Sequence, residues 1–228
     1  MYDRLLVKSS FLHHGCILLI LLWFWGCSSM GPSSIPKQWS CDADADAAVA
    51  RQEWDQARRR HQGVLEKEPG NCLAIYHLGY IWGKLGNREA EVTHYERAVR
   101  CGYTEDDHLF FNLGMAYGEL DLMQEALDAF EKAAGLSPQN ADNHFGLGMT
   151  AQAAGLTDKA LTELAEAVRI DPRHWEARIA LTRIYLDQGQ MEAAGLQLEA
   201  LSKGVPEDPE VADLLKIYED RRISAYDR

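Results

Sequence analysis

The chain has 228 residues, 46% of them hydrophobic and 25% charged, so it can build a folded core and carries no compositional mark of disorder. Its formal net charge is −12, from 23 Lys and Arg against 35 Asp and Glu. That acid excess, with no basic stripe, excludes a nucleic-acid partner, because phosphate binding relies on clustered Lys and Arg.

Residues 1–27 begin with Arg4 and Lys8, pass through an unbroken apolar run at 17–25 and end in Gly26-Cys27-Ser28-Ser29. The run is short for a bilayer span, which takes about 20 residues. A charged start, a short apolar stretch and a small-residue exit read as a secretory signal. The small residue before Cys27 resembles the bacterial lipobox, with Phe24 and Trp25 standing where Leu and a small residue are usual. That resemblance implies that Cys27 is lipidated and becomes the mature N-terminus. Ser28 in place of Asp implies an outer-membrane lipoprotein facing the periplasm. An uncleaved inner-membrane signal anchor and a cytoplasmic protein are the alternatives. Residues 28–40, rich in Ser, Gly and Pro, read as a flexible tether.

Beyond the tether one spacing recurs. Phe110, Leu113, Gly114, Tyr117, Ala126, Phe130, Ala133 and Pro138 form the clearest copy. Leu147, Gly148, Ala151, Gly155, Ala160, Leu164, Ala167 and Pro172 follow in phase, then Leu181, Tyr185, Gly189, Ala194, Leu198, Leu201 and Pro206. An earlier copy holds Leu78, Gly79, Trp82, Gly86, Tyr95 and Ala98, with Glu91 where the others have Ala and Tyr103 in place of the final Pro. Trp54, Ala57, Val64, Leu65 and Pro69 make the second helix of a degenerate first copy, whose Ala-rich first helix, about 41–52, suits a terminal repeat with one solvated face. The copies divide 41–208 at about 71, 106, 140 and 174. Asp208 then caps a helix with Pro209 at its first position. Val211, Leu214, Leu215 and Tyr218 share one face of this closing helix in 209–228. A period of about 34 with this large–small pattern predicts an all-α, right-handed superhelical solenoid of antiparallel helix hairpins, four to five copies and a capping helix. Gly and Ala let paired helices approach closely, and Pro138, Pro172 and Pro206 end second helices.

These residues resemble the tetratricopeptide repeat, W-x2-L-G-x2-Y…A-x3-F…A…P. The resemblance implies a non-enzymatic scaffold for protein partners, with a groove on the concave face of the first helices. Positions three before and one after the Gly slot are four apart and share a face. They read Tyr76 and Tyr80, Phe111 and Met115, Phe145 and Met149, Ile179 and Arg183. The second of each pair is commonly polar in the family; here it is Tyr, Met and Met in three copies. Such a stripe suits an amphipathic helix or apolar peptide, because Met adapts to irregular partners. A structural stripe partly covered by the chain's own ends is the alternative. The chain also resembles repeat lipoproteins that help assemble pili, secretins and other envelope machines. An adaptor or regulator of an envelope enzyme, such as a peptidoglycan hydrolase, is the rival reading.

No catalytic motif is present: there is no G-x-S-x-G, H-E-x-x-H or C-x-x-C-H. The stretch Gly79 to Lys84 is one residue short of a phosphate loop, and Leu85 lacks the hydroxyl that would hold Mg²⁺. The eight His are scattered, and none forms a convincing i, i+4 ligand pair. No metal, cofactor or small-molecule substrate is expected. Asp42, Asp44, Asp46 and Glu53 match a calcium-loop spacing, but Ala47 takes the place of the turn Gly. An acidic first helical turn accounts for the same residues. Cys41, Cys72 and Cys101 are an odd number for an exported chain. Cys72 and Cys101 fall at the same end of one hairpin, which makes a disulfide geometrically feasible. Cys41–Cys72 competes with it, and buried thiols are the third option.

Overall fold

The structure is a computed structural model that describes Trp39 and residues 42–226. The signal-like segment, Cys27 and Cys41 lie outside the described residues, as does the tether apart from Trp39. Every secondary-structure element among the described residues is an α-helix, as the period requires. The chain divides after Leu122 into two compact units. The first holds α1 (Ala43–Ala50), α2 (Trp54–Lys67), α3 (Cys72–Lys84), α4 (Arg88–Cys101) and α5 (Asp107–Glu119). The second holds α6 (Met123–Leu136), α7 (Ala141–Ala153), α8 (Thr157–Ile170), α9 (Trp175–Asp187), α10 (Met191–Gly204) and α11 (Pro209–Tyr226). Within each unit, neighbouring helices pack as hairpins.

The repeat is written into the backbone as well as the side chains. Gln52, Gly86, Asp121, Gly155 and Gly189 all adopt positive φ, between 60° and 78°, and follow one another at intervals of 34, 35, 34 and 34 residues. Each comes directly after the C-cap of a first helix and turns the chain out of it. The next residue then bonds back five positions: Glu53 N–H to Ala48 O, Asn87 to Trp82, Leu122 to Tyr117, Leu156 to Ala151 and Gln190 to Tyr185, all at 2.8–3.0 Å. This left-handed link satisfies carbonyls that the helix end would leave unpaired. Three of the five positions are Gly, for which positive φ carries no Cβ penalty. Helix starts are capped in turn by Asn71, Asn87, Asp106 and Asn140, whose side chains accept backbone N–H groups of the first turn.

Small residues meet large ones across the hairpins. In the first unit Gly79 faces the fully buried ring of Tyr95, and a Cβ there would lie 2.6 Å from Tyr95 Cδ1. Gly83 makes room for the Glu91 carboxylate, which is buried and paired with Arg88 Nη1 at 2.6 Å. The unusual acid of that copy is thus matched by an extra Gly, and Gly79 to Lys84 is a packed helix face in α3, not a phosphate loop. In the second unit Gly146 faces Phe130, Gly148 faces Leu164 and Gly204 faces Trp175. The closing helix α11 buries Val211 and Leu214 against Leu186, Ala194, Leu198 and Leu201, with Leu215 and Tyr218 packed alongside. Asp208 Oδ1 accepts from the Glu210 and Val211 N–H groups at 2.8 and 3.3 Å.

Cys72, the first residue of α3, and Cys101, the last of α4, are joined by a disulfide with Cα atoms 5.5 Å apart and a sequence separation of 29. Closing a loop of that length restricts the unfolded chain by about 3–4 kcal/mol.

Candidate functional site

The first-helix stripe divides into residues that pack inward and residues that stay half-exposed. In the first unit Tyr76 belongs to an aromatic stack. Tyr103 lies over it at 5.1 Å between centroids, Tyr95 sits at 5.6 Å, and Trp39 packs on Tyr103 at 5.4 Å. Asn112 Nδ2 donates to the Tyr76 hydroxyl at 3.4 Å, which sets α5 beside α3 along this face. Burial, then the nearby Asp106 charge, holds the Tyr76 hydroxyl protonated by raising its pKa well above the usual value. This end of the stripe is therefore engaged by the chain itself, down to Trp39. Tyr80 is half-buried, with Trp54 edge-on at 6.4 Å and Lys84 Nζ 5.0 Å above its ring. Phe111 and Met115 on α5 are half-buried.

In the second unit Phe145 and Met149 on α7 are half-buried, and Phe145 packs against the His174 ring at 4.7 Å. Ile179 is buried in the core around α11, so it is a packing residue and not part of an open surface. Arg183 is exposed and forms an ion pair with Glu210 of the closing helix. The large apolar side chains left at the surface of this face are thus Tyr80, Phe111 and Met115 in one unit, and Phe145 and Met149 in the other.

The acidic stretch at the start of α1 is a helix terminus. Asp42 Oδ1 accepts from the Asp44 and Ala45 N–H groups, both at 3.0 Å, and Asp44 pairs with Arg60 at 2.8 Å. Glu53 forms a two-point pair with Arg51 at 3.0 and 2.9 Å. The calcium-loop spacing is therefore spent on capping and ion pairs. Asp46 instead turns up beside two imidazoles: Asp46 on α1, His61 on α2 and His77 on α3 each bring one ligand atom within 4.8 Å of the others. Sequence spacing does not reveal this group, because each member comes from a different helix.

A second carboxylate–imidazole group caps α5. Asp106 accepts from the His108 N–H at 2.9 Å, from the Tyr103 hydroxyl at 2.5 Å, and lies 3.1 Å from His108 Nδ1. Burial opposes the charge on His108, but hydrogen bonds to Asp106 and Asp107 outweigh it and push its pKa up to about 9. A pKa raised from 6.5 to about 9 stabilises the fold fully below pH 6.5, and that contribution is lost as pH rises through about 9. His108→Gln should therefore lower the urea midpoint at about pH 6 and leave it close to wild type above about pH 9.5. An unchanged difference between the two pH values would refute the assignment.

Two-helix units at this period, with small–large pairing and a left-handed link after each first helix, define a tetratricopeptide-repeat fold. Family profiles described as "Tetratricopeptide repeat" match residues 151–217 and 107–140. The chain is a tetratricopeptide-repeat protein. Among curated proteins, Tetratricopeptide repeat protein 21B of Mus musculus is 27% identical over 164 residues, 68% of this chain. The Homo sapiens protein of that name is 23% identical over 164 residues. The matched stretch is 12% of the length of either relative. Among solved structures, YrrB, described as a TPR protein with an unusual peptide-binding site, gives a TM-score of 0.68 at 23% identity, covering 75% of this chain and 88% of YrrB. Pseudomonas aeruginosa pilF gives 0.66 at 16% identity, over 80% of this chain and 84% of pilF. MamA gives 0.63 at 21%, over 83% of this chain and 99% of MamA. At these identities the likeness is one of fold. The fold is that of a protein-interaction scaffold.

Proposed function

We propose that this protein is a membrane-tethered scaffold that holds an apolar, amphipathic segment of a partner protein against the first-helix faces of its repeats. The observation carrying this reading is the set of half-buried apolar side chains Tyr80, Phe111 and Met115 on α3 and α5, and Phe145 and Met149 on α7. Covering such surface releases about 25 cal/mol per Å² of apolar area, and Met accommodates irregular partners. The peptide-binding site named for YrrB supports the same use of the fold. The tether in this reading is Cys27, lipidated and holding the protein at the outer membrane on the periplasmic side, with an uncleaved signal anchor as the second route. No helix among the described residues is long and apolar enough to cross a membrane. A role in assembling a pilus, secretin or other envelope complex fits that placement, and the likeness to pilF is compatible with it. The net charge of −12 favours, as a second reading, an adaptor of an envelope enzyme held by charge, such as a peptidoglycan hydrolase.

Phe111→Glu and Phe145→Glu should each weaken capture of the partner, first identified by crosslinking and mass spectrometry in the native host, by about 30-fold, the effect of removing an interface hot spot worth about 2 kcal/mol. Helical circular dichroism should be unchanged. Full capture by both variants would overturn the apolar groove. Association that instead collapses as salt rises, since exposed charges are screened within about 8 Å, would favour the charge-held adaptor. Cys27→Ser should release the protein from membrane fractions, and retention there would favour the anchor.

A further inference from the structure

The apolar cluster of the first hairpin is small: Ala48 of α1 and Ala57 of α2 are buried against Ile81 of α3, with Val49 and Trp54 packed against them. Next to this small core, α1, α2 and α3 converge on Asp46, His61 and His77. We propose that these three side chains bind one divalent transition-metal ion, zinc by preference, which staples the N-terminal hairpin to α3.

Four observations carry the proposal. The donor set is two imidazole nitrogens and a carboxylate oxygen, which suits zinc and leaves a fourth position for water. The three ligand atoms lie within 4.8 Å of one another, and His77 Nδ1 is 3.7 Å from Asp46 Oδ1. Zinc bonds of about 2.0–2.1 Å place tetrahedral donors about 3.4 Å apart, so binding needs the widest pair to close by up to about 1.4 Å. His61 is 2% exposed, and its Nε2 has no hydrogen-bond partner among the described residues. A buried polar atom in that condition calls for an explanation, and a bound cation supplies one. Finally, the side chains of Asp46 and His77 remain 18% and 27% exposed, which gives an ion a route inward.

The Asp106, Asp107 and His108 group is also compact. Its members, however, are committed to capping α5 and to the Tyr103 hydroxyl.

The test is a titration of the purified full-length chain in detergent, its Cys72–Cys101 disulfide intact, with Co²⁺ alone as the spectroscopic probe. One equivalent should produce visible bands of tetrahedral intensity, without a thiolate charge-transfer band, and one equivalent of Zn²⁺ should abolish them. His61→Gln, His77→Gln and Asp46→Asn should each weaken binding by more than about 100-fold, since loss of even an outer-shell partner costs 10–100-fold. Circular dichroism establishes that each variant is folded. His77→Cys keeps a ligand at the same place and should add a thiolate charge-transfer band to the Co²⁺ spectrum. The proposal is overturned if the wild-type spectrum lacks tetrahedral bands or carries a thiolate band. It also fails if folded His61→Gln binds as tightly as wild type, or if His77→Cys gains no new band.

Discussion

Phe130→Ala should destabilise the second unit by about 3–5 kcal/mol, the usual cost of deleting a buried aromatic ring. The ring is 2% exposed on α6 and lies against Gly146 of α7, in the space where a Cβ on that Gly would fall. The same geometry predicts a coupling that a general core defect would not produce. Gly146→Ala alone should cost about 1–3 kcal/mol by overpacking against the ring. In the Phe130→Ala background, the added methyl enters vacated space and should be neutral or stabilising. Urea denaturation of the four proteins measures the coupling. Strict additivity would show that Gly146 and Phe130 do not share that space.

The second large effect separates two glycines of equal helical status. Gly148→Ala should lower stability by about 1–3 kcal/mol, because its Cβ would sit 2.7 Å from Leu164 Cγ and 3.1 Å from the Leu164 backbone nitrogen, which cannot step aside. Gly63 in α2 has nothing within 4 Å of the same position. There the substitution should stabilise by about 0.5–1 kcal/mol, by restricting the unfolded chain and improving helix propensity. In a chain of this size 1 kcal/mol moves the melting midpoint by about 2–4 °C, so opposite shifts should be visible in parallel thermal scans. Shifts of the same sign would mean that propensity, not close helix approach, governs both positions.

The close approaches also explain how one copy tolerates an acid in its small-residue slot. Glu91 occupies a position that is Ala in the clearer copies, yet it is buried beside Gly83 and paired with Arg88, which also reaches Glu119. Burial raises the carboxyl's pKa and Arg88 opposes that rise. Fitting Glu91 took a second Gly on the facing helix and a cation, both supplied from nearby in the chain.

The period, the helix hairpins, the closing helix with its Asp208 cap and the recurring slot that holds Gly86, Gly155 and Gly189 were legible in the sequence by itself. These depend on spacing within one helix or one turn, where the 3.6-residue geometry and the freedom of Gly act on neighbours in the chain. The left-handed turn at that slot was not legible, because Gln52 and Asp121 hold it in two copies and a positive φ leaves no mark on residue spacing. The i, i+4 rule placed Tyr76 and Ile179 on the expected helix face, but it says nothing of what covers that face. Only tertiary structure put Trp39 and Tyr103 over Tyr76 and sank Ile179 into the core beneath α11. The meeting of Asp46, His61 and His77 was likewise decided in three dimensions. Each residue sits on a separate helix, and contacts between helices depend on how whole faces pack, which no spacing along the chain encodes.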